Sequence, residues 1–577
     1  MCIRDRPYTS WQTASDSIQK CINICVDGDT VIVANGVYKE NLIINTAINL
    51  IGSSMDSTII DGREMGNVTI SLFSSFKIKN IYIYGKQAGF GDAIIRNVSA
   101  IELLDISECR MSDGSIGIGL VNSSITVKNA FFTKMNRAIS LLSAGNSYLY
   151  DISNCQVVLM NTNCSGMYIG FADNSLSTLK NNVIATSSSN PDNGISLGAV
   201  RQVYISNNLI SGFTYNVYFD LLADTAYIYN NLILYKHSQN NTFALNSEND
   251  NLVIKNNVFA YNKNTAIRGF PPYVKMDYNL FWQNQNDLYG LAYGDSDIVA
   301  DPMFVNDTIP TANGNYDFHL QKYSPAIDKG DPSILDVDGS RSDIGLFGGP
   351  LGESYTYQDL APKPPRNLTA VMDSGLVHLK WNKNTEADLF RYRVYRDTVP
   401  YFVYDTTKII AVIPDTTFYD DPPQKFISGN YYYKITAIDS AYHQSPASEE
   451  VHINITGIPE APPIVVEHYS LLQNYPNPFN PSTTIPYRLK ASGYVKVMVY
   501  NLLGEQVKVL VNKYQSAGYY EVLFHPTATE RQSAEGKIEF ETGYGDIVSG
   551  IYLYRIEVIG EGNIPVFTDM KKMMLVK

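Results

Sequence analysis

The charged side chains that could support acid–base chemistry are few and scattered. Lys255 and Asp277 stand at the same position of a repeated sequence pattern, one repeat apart, so their side chains could meet. General acid–base catalysis needs such groups within hydrogen-bonding reach of one substrate atom. An exposed ion pair is the commoner explanation for two opposite charges at this spacing. The pair is therefore a candidate for ligand binding, with a surface ion pair as the simpler interpretation, and it has no assigned catalytic role.

Lysines recur at this position of the repeat. Lys128, Lys180 and Lys255 share it and could form a basic track for an acidic glycan. Ser and Tyr residues interrupt the track, so a solvated face is the simpler interpretation. These three lysines and Asp277 are the candidate ligand-binding residues of the sequence, and no catalytic residue can be assigned.

Residues that could bind a metal lack the necessary spacing. "DVDGSRSD" carries Asp336, Asp338 and Asp343 and resembles a Ca²⁺-binding loop, but the closing Glu of such loops is missing, so we predict a turn. The seven histidines form no group with metal-ligand spacing, and we predict no metal site. Three further charged residues have no aligned partners: Asp220, Asp224 and Arg268.

A repeat of 21 to 27 residues sets the positions of these side chains. It is clearest in "YISNNLISGF", "LKNNVIA", "IYNNLIL" and "IKNNVFA". The residues three before and two after the second Asn are apolar, and the residue two before it is mostly polar. This alternation predicts half-buried strands. The column of the second Asn contains Asn182, Asn208, Asn231, Asn257 and Asn279, and it continues backwards through Cys155, Ala130, Cys109 and Ile81.

Strands at this period, without helix-length amphipathic segments, predict a parallel β-solenoid. Each repeat would form one coil, stacked about 4.8 Å from the last. Asn suits the corner between two strands because it tolerates left-handed φ/ψ angles and its side chain can bond the backbone. Stacked amides can also bond one another, so we predict an Asn ladder along the column. Cys109 and Cys155 would lie two coils apart, about 9.6 Å at this spacing, which is too far for a disulfide.

Both ends of the repeat region resemble a known family. "SDSIQKCINICVDGDTVIVANGVYKENLII" fits a capping helix, a turn and a first strand, and "DPMFVN", "DFHLQKYSPAID" and "DVDGSRSDIGLFGG" follow the last repeat. These segments are similar to those of right-handed parallel β-helix repeat proteins of the pectate-lyase-like superfamily. Lyases of that superfamily use carboxylate-bound Ca²⁺ to acidify a proton beside a uronate carboxylate, with Arg or Lys as base. The resemblance implies Ca²⁺ only if this protein is a lyase, and otherwise no cofactor is expected.

The chain changes character after "APKPPRNLTA", a Pro-rich linker. "VHLKWNKN", "DLFRYRVYRD" and "YYYKITAIDSAYHQSPAS", with Trp381 early and Tyr433 late, resemble a fibronectin type III domain. Such a domain either recognises a sugar or protein, or serves as a spacer that holds the β-helix away from a surface.

The last segment differs again. "HYSLLQNYPNPFNPSTTIPYRL", "VKVMVYNLLGEQVKVL", "SGIYLYRIEV" and the terminal "KKMMLVK" resemble the type A C-terminal sorting domain of type IX secretion cargo. One departure is the long "HPTATERQSAEGKIEFETGYGDIV", where that family has a brief turn. The resemblance implies export to the periplasm, passage through the type IX machinery, and release or attachment at the cell surface.

Composition limits the partners. The net charge of -13 gives no support for nucleic-acid binding or for an anionic membrane surface. No run of about 18 uncharged apolar residues is present, so no transmembrane helix is expected. "MCIRDRPYTS" lacks a signal-peptide core and resembles a translated sequencing-adapter remnant, so we expect the true N-terminus and its signal peptide to be missing.

These observations predict an all-β protein, a right-handed parallel β-helix solenoid followed by two small β-sandwich domains. One hypothesis is a secreted or outer-membrane-attached surface protein that binds polysaccharide or another extracellular partner. The other is a polysaccharide lyase or glycoside hydrolase acting on an acidic polysaccharide at an outer face of the β-helix. The predicted segments are a remnant or truncated start at 1–10, the β-helix at 11–300, its closing segment at 301–350, a linker at 351–365, a fibronectin type III-like sandwich at 366–457, a linker at 458–468 and the sorting domain at 469–577.

Overall fold

The structure is a computed structural model. It describes residues 2–3, 10, 12, 14–87, 92–144, 147–161, 163–170, 175–188, 191–220, 224–234, 243–247, 250–308, 315–373, 376–414, 418–421, 429–455, 466, 468–525, 530–532, 538–540, 548–560 and 564–576. Within these residues the chain is almost entirely β-strand, which confirms the predicted all-β class.

A short helix, α1, covers the start of the solenoid. It spans Ile18–Ile22, and the side chain of Ser17 caps it by accepting a hydrogen bond from the backbone N–H of Lys20. Ile18, Cys21 and Ile22 are buried against the first coil, and Cys25 packs partly against the same core. The two cysteines thus belong to an apolar stripe, as the sequence predicts.

Three parallel sheets form the solenoid. The chain passes from sheet 1 to sheet 2 to sheet 3 in each coil and then begins the next, so neighbours within a sheet come from successive coils. Ile205, Ile228 and Ile254 are register partners in sheet 1, as the repeat alignment predicts. The first strand of sheet 1, Cys2–Ile3, pairs antiparallel with the second, Thr30–Val33.

The strands of sheet 1 are Cys2–Ile3, Thr30–Val33, Ile48–Gly52, Phe76–Lys79, Leu103–Ser107, Ser124–Lys128, Leu149–Ser153, Leu176–Lys180, Gln202–Ser206, Thr225–Tyr229, Asn251–Lys255 and Val274–Asp277. Those of sheet 2 are Gly36–Tyr38, Thr58–Asp61, Tyr82–Tyr84, Arg110–Ser112, Phe131–Thr133, Gln156–Leu159, Val183–Thr186, Leu209–Ser211, Leu232–Leu234, Val258–Ala260, Leu280–Trp282 and Ile298–Val299. Those of sheet 3 are Leu42–Ile44, Ile70–Leu72, Ala93–Asn97, Ile116–Val121, Arg137–Leu142, Ser165–Gly170, Asn193–Gly198, Tyr215–Asp220, Phe243–Asn246, Thr265–Arg268 and Asn286–Tyr289.

Alternate residues of every sheet point into one continuous apolar core. Its members are mostly Ile, Leu and Val, each stacked on an equivalent residue of the next coil. Phe259 and Phe281 stack with their ring centroids 5.5 Å apart. A solenoid is stabilised in this way because a single coil cannot bury its own apolar face.

The two residues of each Asn-Asn pair play different parts at the corner between sheets 1 and 2. The first adopts the left-handed conformation, with φ of 54° at Asn207 and 55° at Asn230. The second points inward and bonds its neighbours. Asn208 Nδ2 donates to Asn231 Oδ1 at 3.0 Å, and the amides of Asn182, Asn208, Asn231, Asn257 and Asn279 form a continuous chain of such bonds. Sequence reasoning assigned both parts to one Asn.

The closing segment, described at 301–308 and 315–350, returns along the outer face of sheet 2. Leu232 and Val258 point outward there and join one core with Phe318 and Ile344. The first Asn of three pairs also binds this segment. Asn207 Nδ2 donates to the Leu346 carbonyl at 2.8 Å, Asn230 Nδ2 donates to the Asp343 carbonyl at 3.0 Å, and Asn256 Oδ1 accepts from the Asp331 N–H at 2.7 Å. Two antiparallel strands lie within the segment, Phe304–Asn306 and Asp317–Leu320.

Antiparallel strands in two sheets follow in the described part of 366–457. Trp381 lies in the shared core, with its ring centroid 5.3 Å from that of Tyr392. One sheet contains Thr369–Asp373, Leu376–Lys380 and Phe418–Asp421, and the other contains Ile409–Pro414, Leu389–Asp397, Gly429–Asp439 and Val451–Ile455, with a 3₁₀ turn at Thr406–Lys408.

The last region, 469–577, is a second two-sheet unit with its own core. Buried Phe479 of "NPFNP" joins the final strand, because its N–H donates to the Met574 carbonyl at 2.9 Å and its carbonyl accepts from the Val576 N–H at 3.0 Å. Most of "HPTATERQSAEGKIEFETGYGDIV" lies outside the described residues. One sheet contains Ser470–Leu471, Thr483–Leu489 and Gly518–Phe524, the other contains Gln506–Gln515, Gly493–Tyr500, Gly550–Ile559 and Pro565–Leu575, and a separate pair contains Glu530–Gln532 and Ile538–Phe540.

Within the described ranges, none of the helices has the length and apolar content needed to cross a bilayer.

Candidate functional site

The predicted lysine track lies on the outer face of sheet 1, and acidic groups neutralise it. Asp151 stands between two of its lysines, with Lys128 Nζ 3.7 Å and Lys180 Nζ 3.5 Å from its carboxylate oxygens. An acidic glycan would have to displace both contacts. This face therefore offers little net positive charge at the track.

Lys255 has a structural partner other than Asp277. Its Nζ lies 2.6 Å from Asp331 Oδ2 in the closing segment. Asp277, its register partner, accepts hydrogen bonds from the backbone N–H groups of Tyr278 and Ser296. The expected pairing of Lys255 with Asp277 is thus replaced by a longer-range ion pair that fastens the closing segment, because the carboxylate of Asp277 is taken up by its own corner.

The acidic loop at Asp336 is a turn, as its sequence predicts. Asp336 accepts from the backbone N–H groups of Asp343 and Gly349, and Asp338 accepts from the Ser340 N–H at 2.9 Å. Asp343 accepts from the Tyr357 hydroxyl at 2.9 Å, and burial raises its pKa to about 6. These contacts hold the loop as a turn through hydrogen bonds to its own backbone and to Tyr357.

The outer face of sheet 3 presents a different surface, which we call the aromatic face. Its residues share one register column, in which each side chain stands above the next along the solenoid axis. In its central part the column is polar and aromatic. The members are Ser140, Tyr168, Ser196, Tyr218, Asn246, Arg268 and Tyr289.

Glycine allows Tyr168 to lie flat on this face. A Cβ at Gly170 would come 2.5 Å from the Tyr168 hydroxyl, so any larger residue there would displace the ring. The Arg137 guanidinium lies 5.3 Å from the centre of the same ring, and its Nε donates to Ser165 Oγ at 2.9 Å. Burial lowers the pKa of Arg137, although the charge of nearby Asp192 opposes this effect.

Arg268 is held between aromatic rings at the other end of the face. Its guanidinium carbon lies 5.3 Å from the centre of Phe243 and 5.6 Å from that of Phe270, and its Nη1 donates to Asn246 Oδ1 at 3.3 Å. Phe243 also packs on Tyr289, with the ring centroids 5.7 Å apart. Cation–π contacts of this kind orient a guanidinium.

This arrangement suits binding of an extended, polar ligand. Aromatic side chains present an apolar body with a polar tip, while Arg and Asn side chains can bond hydroxyl or carboxylate groups. Successive members lie about 4.8 Å apart along the solenoid. Ser196 and Asn246 are buried, so contact with an elongated molecule would fall to the more exposed tyrosines and Arg268 of alternate coils. The seven aligned positions from Ser140 to Tyr289 contain no carboxylate.

Sequence reasoning noted Arg268 but missed its partners, and it gave no role to Tyr168 or Tyr218. Asp220 is exposed two residues beyond Tyr218, and Asp224 accepts from the Thr225 hydroxyl away from the column. An alignment of the sheet 3 strands, instead of the Asn corners, would have shown Tyr168, Ser196, Tyr218 and Asn246 in one column.

The fold and this surface define the class of the protein as an all-β protein with a parallel β-solenoid and small antiparallel sheets towards the C-terminus. A scan against protein-family models and a search of curated proteins both find no match.

Similar solved structures include a Fn3-like protein from Clostridium thermocellum, at 25% identity over 17% of this chain and 99% of that chain, with a TM-score of 0.15. Another is the chicken CNTN1 FN1–FN3 domains, at 12% identity over 38% of this chain and 70% of that chain, with a TM-score of 0.15. A third is an alpha-L-rhamnosidase from Dictyoglumus thermophilum, at 13% identity over 37% of this chain and 29% of that chain, with a TM-score of 0.14. TM-scores this low establish neither a shared fold nor a shared function.

Proposed function

We propose that this is an exported or cell-surface protein whose solenoid binds an extracellular polysaccharide on the aromatic face. The observation that carries this proposal is the column of Tyr168, Ser196, Tyr218, Asn246 and Arg268, in which two partly exposed tyrosines stand two coils apart, Arg268 follows two coils further on, and buried polar side chains lie between them. Because the column contains Arg268 and no carboxylate, the preferred ligand is a polysaccharide with acidic groups.

Binding is favoured over catalysis by the charges on this face. An enzyme of either predicted type needs paired acid and base groups at the reacting bond. Asp220 pairs with Gly198 in the register of sheet 3, and Asp192 precedes the strand Asn193–Gly198, so the described register brings no second carboxylate opposite Asp220. The alternative of a lyase or hydrolase therefore becomes an outcome of the test.

The two C-terminal units complete the proposal. The unit at 366–457 is proposed to be a fibronectin type III-like spacer, and that at 469–577 a type IX secretion sorting domain. This rests on the sequence motifs, including "NPFNP" and the terminal strand that Phe479 joins in the structure. Together they would deliver the solenoid to the outside of the cell and hold it away from the surface.

The test is affinity electrophoresis of the full chain in gels that contain uronate, sulfated or neutral polysaccharides. We expect retardation by at least one acidic polysaccharide, and weakening of this binding by roughly tenfold in Tyr218→Ala, the order expected for loss of one central aromatic contact. Tyr204→Ala is the matched control, because Tyr204 stacks on Tyr227 on the outer face of sheet 1, with centroids 4.9 Å apart. Equal losses in both variants, or no retardation in any gel, would overturn the proposal.

The same preparations distinguish binding from lyase activity. Incubation with uronic-acid polysaccharides and Ca²⁺ is followed by ultraviolet absorbance for the unsaturated product, and a reducing-sugar assay detects hydrolysis. We expect neither signal. Product formation that Arg268→Gln abolishes would assign catalysis to the aromatic face and replace the binding proposal.

A further inference from the structure

A second group of polar side chains lies far from the aromatic face, where the linker meets the sandwich at 366–457. Asp359 belongs to the linker, while Asp439 and His443 flank the tight turn after the strand Gly429–Asp439. One ligand atom from each residue lies within 4.8 Å of the others. Among the described residues this is the group of His, Cys, Asp and Glu side chains with metal-binding spacing.

We propose that Asp359, Asp439 and His443 form a binding site for a divalent cation of the zinc class, which joins the linker to the sandwich domain. His443 Nδ1 lies 3.0 Å from Asp439 Oδ2 and 3.6 Å from Asp359 Oδ1. Ligands of a tetrahedral Zn²⁺ site with bonds of about 2.1 Å lie about 3.4 Å apart, so the two distances bracket the required value. One nitrogen and two carboxylate oxygens suit Zn²⁺ better than Ca²⁺, which prefers oxygen ligands only.

The turn itself prepares two of the three ligands. Asp439 is fully buried, and its Oδ1 accepts the backbone N–H of His443 at 2.8 Å, which fixes the carboxylate and leaves Oδ2 facing the imidazole. Oδ2 accepts the hydrogen bond from His443 Nδ1 in the present arrangement. A cation would take the place of this proton, and the neutral ring would carry its proton on Nε2 instead.

A buried carboxylate oxygen without a hydrogen-bond partner faces the proposed site. Asp359 Oδ2 lies 3.1 Å from Lys322 Nζ, but Asp359 Oδ1 is shielded from solvent and has no hydrogen-bond partner among the described residues. It is this oxygen that faces His443. Shielding a carboxylate oxygen without a hydrogen bond is costly, and a metal ion at this position would remove that cost.

Two neighbouring acids strengthen the negative charge. Glu386 is 8% exposed, and its Oε2 is buried with no hydrogen-bond partner in the described chain. Asp388 Oδ1 is likewise buried and has no hydrogen-bond partner among the described residues. The backbone N–H of Ser440, next to Asp439, donates to the Asp388 carbonyl at 2.9 Å, which places Asp388 beside the turn. Lys322, at Asp359 Oδ2, is the cation that the structure places against the three proposed ligands.

The bound ion would act as a clamp. Gln358, next to Asp359, forms a β-bridge with Gln321 of the closing segment, and the Lys363 N–H of the linker donates to Glu386 of the sandwich at 2.6 Å. The ion would add a bond from the linker to the turn after Gly429–Asp439. It would thereby fix the orientation of the sandwich relative to the solenoid.

The test is isothermal titration of the full chain, freed of metal by a chelator, with ZnCl₂. We expect binding of one equivalent, with affinity reduced at least about tenfold in His443→Gln and in Asp359→Asn, because a direct ligand contributes no less than the outer-shell partners whose loss has that effect. His452→Gln is the control. His452 lies in the same sandwich and bonds Asn430 on the exposed strand pair, away from the turn.

Circular dichroism checks whether each variant is folded. If His443→Gln does not fold, Asp359→Asn alone tests the proposed metal site, because Asp359 lies in the linker outside the sandwich core. The absence of one-equivalent binding, or equal losses in His452→Gln and Asp359→Asn, would overturn the clamp. Neither result bears on polysaccharide binding, because the two sites share no residue.

Discussion

At the scale of single residues, each Asn-Asn pair solves two problems that one Asn cannot. The corner needs a residue in the left-handed conformation, which Asn adopts at lower cost than most residues, and the interior needs a side chain that satisfies the backbone groups exposed by the turn. Asn231 does the second. Its Nδ2 donates to the Ile205 carbonyl at 2.7 Å, and its Oδ1 accepts the Asn208 N–H at 2.9 Å. The ladder is thus a set of obligatory hydrogen bonds in an otherwise apolar core.

Replacing a central member of the ladder should therefore be costly. Asn231→Ala leaves the Asn208 N–H and the Ile205 carbonyl buried without partners, and we expect a loss of unfolding free energy on the order of 3 kcal/mol. Chemical denaturation of the solenoid, followed by circular dichroism, measures this. Asn251→Ala, on an exposed strand position of sheet 1, should change stability by less than about 0.5 kcal/mol. Similar losses of unfolding free energy in the two variants would show that the ladder hydrogen bonds contribute no more to stability than an exposed side chain.

The ion pair of Lys255 and Asp331 gives a pH signature. Burial opposes ionisation of Asp331, but hydrogen bonds from Lys255 and Ser333 outweigh it and lower the pKa to about 2. Because this folded-state pKa lies below the unfolded value, the stabilisation is present above about pH 4 and is lost as the pH falls towards 2. Lys255→Met should cost about 1–2 kcal/mol at pH 7 and progressively less below pH 4.

Denaturation midpoints at pH 7, 5 and 3 measure this difference. Both proteins retain Asp343, whose pKa is raised to about 6, so its opposite pH dependence cancels between them. Lys180→Met is the control, because Lys180 lies 3.5 Å from Asp151, whose side chain is 21% exposed against 9% for that of Asp331, and an ion pair contributes less as its exposure rises. A Lys255→Met deficit that does not shrink between pH 5 and pH 3 would contradict the assigned role of Asp331.

At the scale of elements, the closing segment depends on the solenoid corners. Leu232 and Val258 alone would leave apolar side chains of sheet 2 in solvent, and the segment covers them with Phe318, Leu320 and Ile344. The outward Asn residues fix the path of this cover. Asn230 Nδ2 reaches Ser342 Oγ at 3.1 Å and the Asp343 carbonyl at 3.0 Å. Directional bonds thereby complement a non-directional apolar contact.

Removing one of these anchors should loosen the segment locally. Asn230→Gly keeps the left-handed backbone, since Gly accepts φ near 55° without strain, and removes only the side chain. We expect faster amide hydrogen exchange in residues 340–349 and a loss of about 1–2 kcal/mol in the protection of that segment. Asn181→Gly is matched, because Asn181 has the same φ of 55° but is exposed. Equal exchange in the two variants would show that Asn230 does not anchor the segment.

The Asn corners could be aligned from the sequence because the number of residues between the strands of sheet 1 and those of sheet 2 hardly varies. Between sheets 2 and 3 it varies greatly. Residues 212–214 separate Ser211 from Tyr215, whereas 235–242 separate Leu234 from Phe243. An alignment on Asn therefore loses the register of sheet 3, and the aromatic face stays hidden.

The contacts of Lys255 with Asp331 and of His443 with Asp359 join residues far apart in sequence, and no periodic pattern marks such pairs.

At the scale of the whole molecule, the three parts have different surfaces and different proposed tasks. The solenoid presents the aromatic face, the sandwich at 366–457 contacts the closing segment through the hydrogen bond from Thr385 to Asp301, and the last region has its own core. The first sandwich is therefore attached to the solenoid by specific contacts. The last region carries the motifs expected of an address for secretion.

Export should accordingly depend on the last region alone. Residues 469–577, fused behind a signal peptide and a fluorescent reporter in a bacterium with a type IX secretion system, should carry the reporter to the cell surface or the medium. The fusion with residues 366–457 is the control, because both segments are small units of antiparallel sheets, and we expect it to stay in the periplasm. If both fusions leave the cell equally, the motifs are not the address. If neither fusion leaves the cell, while the reporter folds and accumulates in the periplasm, the proposed sorting role of 469–577 is wrong. The proposal that the solenoid acts outside the cell then has no supporting observation.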